Sequence, residues 1–160
     1  MTLTNSQGGS GAEGGGGISM DGAEVELVDV AIVHCHSFGI SARSTATATA
    51  PSQLAATRCE ISNNGGIGLM MNNAHSLGIH IRLKNCISHH NLIGIWADGK
   101  GVVHVYGDDT AIHSNEDSGI FAVDSGKVVI HLPSHHNTSY NNGQDDRYTA
   151  RGGTITNVED

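Results

Sequence analysis

Basic residues are scarce in this chain. Lys and Arg number 8 against 16 Asp and Glu, for a formal net charge of −8 with His neutral. The basic residues form no run along the sequence. Nucleic-acid binders need a basic stripe that displaces counterions from phosphate, so nucleic acid is not an expected partner. An anionic membrane surface is disfavoured for the same reason. No apolar run approaches the ~18 residues of a membrane span, so membrane insertion is not expected. The opening segment MTLTNSQGGSGAEGGGG has neither a basic stretch nor an apolar one and does not read as a signal peptide. Residues 1–16 read as a flexible Gly/Ser-rich tail and residues 17–160 as one domain. The cysteines are three, Cys35, Cys59 and Cys86, an odd number without a pairing pattern. Each sits beside an apolar strand position and reads as a small buried hydrophobe. Aromatic residues make up only 4% of the chain, which implies a core poor in large rings. Helical periodicity is absent throughout.

Glycine is plentiful instead. The 22 glycines, spread along the chain, point to many tight turns between short strands. They also fall at a fixed place. An apolar anchor is followed seven positions later by glycine at Ile32/Gly39, Ile61/Gly68, Ile87/Gly94 and Ile112/Gly119, and the anchors step by 29, 26 and 25 residues. After the glycines come Ile40, Leu69, Ile95 and Ile120, and Gly17–Ile18 looks like the same element one coil earlier. Three past each glycine stand Met20, Ala42, Met71, Ala97 and Ala122. Positions +1 and +3 therefore face one way, as the two-residue period of a strand requires.

A second strand recurs in most coils, as Val25–Val28, Ile79–Leu83, Val102–Tyr106 and Val128–Leu132. Asp21-Gly22, Asp98-Gly99 and Asp124-Ser125-Gly126 supply turn chemistry between the two strands. Three residues past the anchors lie Asn64, His90 and Asn115, with Asn141 joining if Thr138 is a degraded fifth anchor. Polar residues repeated at one corner read as a ladder whose amides bond coil to coil, and Asn tolerates a left-handed backbone there. One such coil cannot bury its own apolar face. Stacked at ~4.8 Å, the coils make a continuous core.

The segments I-S-N-N-x-x-x-G-L, I-S-H-H-N-x-x-G-I and I-H-S-N-x-x-x-G-I resemble the repeats of right-handed parallel β-helices of the pectate-lyase-like superfamily, over about residues 17–145. The stretch Ile130 to Gly143 is similar to one in β-helix proteins of algae. The resemblance implies an all-β fold, a right-handed single-stranded parallel β-helix of about five to six coils. It says little about activity, because such coils host lyases, hydrolases, epimerases, adhesins and plain scaffolds. The pattern departs at an insertion, Ser44 to Ser52, and after Asn142, where RGGTITNV (Arg151 to Val158) reads as a last strand.

The superfamily's enzymes bind Ca²⁺ through several carboxylates or use clustered aspartates. The acidic candidates are Asp108-Asp109 and Asp145-Asp146, with His113 and Arg147 beside them, but no catalytic signature is intact and turns ordinarily carry Asp. His80, His104 and His131 each sit between apolar strand residues and point outward, either as a solvated ladder or as imidazoles sharing a metal on adjacent rungs. No acidic second shell is evident, so neither metal nor cofactor is expected. The run Thr45 to Ala50 resembles the Thr-x-Thr pattern of ice-binding β-helices but occurs only once.

Position +2 after each glycine should point outward: Ser19, Ser41, Met70, Trp96 and Phe121. Met70, Trp96 and Phe121 thus form one outward stripe, flanked by His80, His104 and His131 or facing away from them. Contiguous exposed apolar patches mark interaction sites. The expectation is a non-catalytic module for binding or structure, with a glycan or protein partner at the stripe. The alternative is a polysaccharide-active enzyme, a uronate lyase, epimerase or hydrolase. Coil ends expose unpaired backbone and apolar faces, so an end should be covered by self-association, by a partner chain or by the degraded terminal segment.

Overall fold

A computed structural model describes residues 1–5, 15–73, 77–131 and 138–159. Every regular element among them is a strand, and none is a helix of the length and apolarity that crosses a membrane. Each coil carries three strands. The first holds β1 (Thr2–Leu3), β2 (Ile18–Asp21) and β3 (Glu24–Val28), and the second β4 (Ala31–Val33), β5 (Ile40–Ser44) and β6 (Ser52–Thr57). The third holds β7 (Glu60–Ser62), β8 (Ile67–Asn73) and β9 (Ile79–Lys84), and the fourth β10 (Ile87–His89), β11 (Ile93–Gly99) and β12 (Gly101–Tyr106). The fifth holds β13 (Ala111–His113), β14 (Ile120–Val123) and β15 (Lys127–His131), and the sixth β16 (Ser139–Tyr140), β17 (Arg147–Thr149) and β18 (Thr154–Val158). Corresponding strands pair in parallel into three six-stranded sheets, A (β1-β4-β7-β10-β13-β16), B (β2-β5-β8-β11-β14-β17) and C (β3-β6-β9-β12-β15-β18).

The core is a set of vertical files. In sheet B, Ile40, Leu69, Ile95 and Ile120 stack in register at 0% exposure, and Met20, Ala42, Met71, Ala97 and Ala122 form the next file. Sheet C adds Leu54, Ile81, Val103 and Val128. The repeat glycines sit where the interior leaves no room. A Cβ on Gly94 would lie 2.6 Å from Gly119 O and 2.8 Å from Asn115 Nδ2.

The asparagine ladder exists, with a corrected membership. It runs through Asn64, Asn91, Asn115 and Asn142. Asn64 Oδ1 accepts from the Cys35 amide at 3.0 Å. Asn91 Oδ1 accepts from the Asn64 amide at 3.1 Å and from Asn64 Nδ2 at 2.9 Å. Asn115 Oδ1 and Asn142 Oδ1 repeat the pattern. Asp146 Oδ1 ends it, accepting from both nitrogens of Asn142. His90 and Asn141, expected as rungs, are instead the left-handed residues just before the rungs, at φ 51° and 54°. His34, Asn63 and Ser114 occupy the same corner at φ 54–56°.

The slip comes from one coil with a shorter corner. Ser88, not Ile87, aligns with Ile61 and Ile112, and Ile87 is 37% exposed. Ser88 can stand in an apolar file because its hydroxyl donates to Gly94 O at 3.1 Å. Ser139, not Thr138, is the corresponding residue below Ile112.

The chain start also differs from expectation. Thr2–Leu3 pairs with Ala31–Ile32 and belongs to the first coil rather than to a tail. The Gly/Ser-rich stretch in between, residues 6–14, lies outside the described residues, as do Leu132, His135, His136 and Asp160. The threonine run occupies the turn between β5 and β6, where Asp21 accepts from the Thr45 amide and hydroxyl, and it forms no strand. All three cysteines are buried free thiols, and burial pushes the Cys86 thiol up to about 11.

Candidate functional site

Sheet B turns one file of large side chains outward. Met70, Trp96 and Phe121 stand on consecutive rungs in register, and Tyr148 continues the file one rung further. The Trp96 and Phe121 ring centroids are 5.0 Å apart at 38°, and those of Phe121 and Tyr148 4.7 Å apart at 20°. Strand spacing of ~4.8 Å imposes this contact on any aromatic pair in register. Rings stacked so closely cover much of each other's faces and offer their edges to solvent. Tyr148, on the last described rung, is 39% exposed. Sequence reasoning missed it because the repeat glycine is lost after Asn142, although the position of Asn142 in the ladder fixes the register. Ser19 is exposed, as expected of its position. Ser41 holds the same outward position between Ser19 and Met70 but is buried, and two residues along its strand the Arg43 guanidinium donates to Ser19 Oγ at 2.9 Å.

A polar file runs beside the stripe. Two residues along each strand from Met70 and Trp96 come Asn72 and Asp98, paired with each other. At the rim Asp124 meets Arg151 at 3.1 Å. Burial, reinforced by the Asp124 charge, raises the Asp98 carboxyl above its ordinary value, against the opposing pull of Arg151.

The histidines lie elsewhere and do not form one ladder. His80, His104 and His131 are on sheet C, on a different face from the stripe. His80 pairs with Val102, and His104 with Arg82 and Val129, so the three step diagonally by two residues per rung. The similar contexts I-H-I, V-H-V and I-H-L hid that stagger. His104 Nδ1 and His131 Nε2 are 2.8 Å apart, and the Tyr106 and His131 rings stack at 4.0 Å. Burial holds the His104 imidazole below the ordinary histidine value, with His131, Arg82 and His80 adding to the effect. A further stack, of which the sequence singles out only His113, stands on sheet A: His89 on His113 at 5.2 Å, and His113 on Tyr140 at 5.1 Å. Among the described residues no group of three or more His, Cys, Asp or Glu side chains is arranged to hold a metal ion.

The acidic candidates separate. Asp108-Asp109 is a turn between β12 and β13, Asp146 ends the ladder, and Arg147 bonds Asn157 Oδ1 at 3.0 Å.

The chain matches the family model of the right-handed beta helix region over residues 13–159. No curated protein and no solved structure gives a significant match.

Proposed function

From the chain's membership of the right-handed β-helix family, we propose that this protein is a non-catalytic binding module whose ligand surface is the outer face of sheet B. The observation that carries the reading is the four-rung file Met70–Trp96–Phe121–Tyr148 with Asn72 and Asp98 beside it. Apolar ring edges and the Tyr148 face accept the C–H surfaces of a sugar, while the adjacent amide and carboxylate meet its hydroxyls. A glycan suits that pairing of apolar and hydrogen-bonding groups better than a purely apolar partner does. The two carboxyl groups at this surface, Asp98 and Asp124, with Arg151 the cation beside them, favour a neutral glycan over an acidic one. A glycan-array screen tests this. Trp96→Ala should abolish the glycan signal while leaving the thermal midpoint within a few degrees. A large loss of stability with glycan binding intact would make Trp96 a packing residue and sink the proposal.

A second reading rests on Asp98. A carboxyl raised by burial beside an aromatic platform has the environment of a general acid in glycoside cleavage. Turnover of a glycan found on the array, lost in Asp98→Asn, would establish an enzyme. Binding without turnover supports the module.

A further inference from the structure

The outer face of sheet C separates opposite charges. Its edge strand β3 points Glu24 and Glu26 outward. On β9, two rungs away, His80 and Arg82 occupy the same two columns, because Glu24 aligns with Gln53 and His80, and Glu26 with Ala55 and Arg82. Ala55 is the small member of its column, and its short side chain opens a cavity of about 260 Å³ between the two walls. Glu24 and Glu26 form one side of it and His80 and Arg82 the other, while Gln53 stands between Glu24 and His80 on the middle strand and Ala55 is the floor. Among the described residues neither glutamate carboxylate nor the Arg82 guanidinium makes a hydrogen bond or ion pair.

We propose that this cavity binds a small zwitterion, a free α-amino acid, with its ammonium on Glu24 and Glu26 and its carboxylate on Arg82. The geometry sets the size. Two rungs separate the Glu26 and Arg82 backbones by ~9.6 Å. Arg82 does not bridge that gap to either glutamate. An α-amino acid places its nitrogen within ~3 Å of its carboxylate oxygens. Two charge-assisted contacts of ~2.8 Å each then bring the span to nearly 9 Å. A simple anion would leave the glutamate wall facing it with like charge, and a simple cation would do the same to Arg82. The apolar floor admits a modest side chain and gives a large polar one nothing to bond. The pocket is on a different sheet from the proposed glycan surface, so either can fail alone.

The test is an NMR titration of the intact chain with L-leucine, N-acetyl-L-leucine and L-leucinamide. Leucine should shift the Gln53 and Ala55 amides saturably, with weak affinity, since exposed ion pairs contribute little each. Blocking either charge of the ligand should weaken binding about threefold to fivefold. Arg82→Gln and Glu26→Gln should each do the same with an unchanged far-UV spectrum. Three results would overturn the proposal. One is no saturable shift up to ~100 mM leucine, beyond the weakest specific affinities. Another is N-acetyl-leucine binding as tightly as leucine, which would mark a plain anion site. The third is leucine binding unaffected by both substitutions.

Discussion

Replacing Asn91 with Ala removes the centre of the amide ladder. The side chain is 1% exposed, so water cannot substitute for it. Its Oδ1 accepts from the Asn64 amide and from Asn64 Nδ2, and its Nδ2 donates to Ile61 O at 3.0 Å. Truncation leaves a buried N–H without an acceptor, which costs about 1–3 kcal/mol, and loses further bonds worth about 1 kcal/mol. The expected loss is therefore about 2–4 kcal/mol, a large part of the ~5–15 kcal/mol that holds a typical domain folded. Asn142 makes the same contacts to Asn115, but it is half-buried at the last described rung. Water reaches the groups it would leave behind, so Asn142→Ala should cost about 1 kcal/mol or less. Asn91→Asp keeps the acceptor but turns an oxygen toward Ile61 O and Asn115 Oδ1, both acceptors themselves. A carboxyl so placed has a raised folded-state pKa. Its destabilisation should shrink as pH falls and protonation supplies the missing donor. Urea midpoints at constant m measure all three. A loss under ~1 kcal/mol for Asn91→Ala, or equal losses at Asn91 and Asn142, would refute the view that buried amides hold the coils together.

Ile95→Ala, at a 0% exposed core position, should cost about 2–5 kcal/mol, whereas Ile87→Ala, at 37% exposure, should cost less than about 1 kcal/mol by urea unfolding. Burial lowers the His104 and His113 imidazoles below the ordinary value of 6.5. Over the window between the lowered folded values and 6.5 the unfolded chain binds more protons, so this contribution is complete above 6.5 and lost as pH falls through the window. Thermal midpoints should drop on acidification from about pH 7 to 5 and drop less in His104→Gln and His113→Gln; an unchanged slope in both variants contradicts it. Arg147 occupies the inward file below Ile120, bonded to Asn157 in the inward file below Ile130. This polar pair blunts the last described rung, and Arg147→Leu should produce concentration-dependent association by sedimentation velocity where the parent chain shows less.

The core was legible because a parallel coil repeats its interior at one offset. Gly39, Gly68, Gly94 and Gly119 each lie where a Cβ would strike the backbone oxygen of the next coil or a ladder amide. That demand cannot be met by another residue, so the glycines mark the register plainly. The anchor position is looser. Ile, Ile, Ser and Ile fill it on successive rungs from Ile32 to Ser88 and Ile112, because a serine hydroxyl bonded to Gly94 O is as acceptable inside as a methyl group. Reading Ile87 as the apolar member was therefore natural and one residue out. The same slip moved the ladder from Asn91 to His90, since the left-handed corner and the bonded rung are neighbours and both accept Asn.

The outer surface obeys no such demand. Inward residues are fixed by the files above and below, but outward ones answer only to their lateral neighbours and to solvent. Trp96 and Phe121 could be placed because their strands carry strong glycine and isoleucine markers. Tyr148 could not, because Arg147 replaces the expected aliphatic residue in its strand. The diagonal of His80, His104 and His131 was hidden for another reason: alternation tells which face a residue takes, while the column depends on cross-strand register. That register also brings Glu24 and Glu26 opposite His80 and Arg82, residues more than 50 positions apart in sequence. A chain whose basic residues form no run can thus still set a cation, Arg82, across from two carboxylates. Composition limits which ligands the whole surface favours, and the stacking of columns decides which ligand one face can hold.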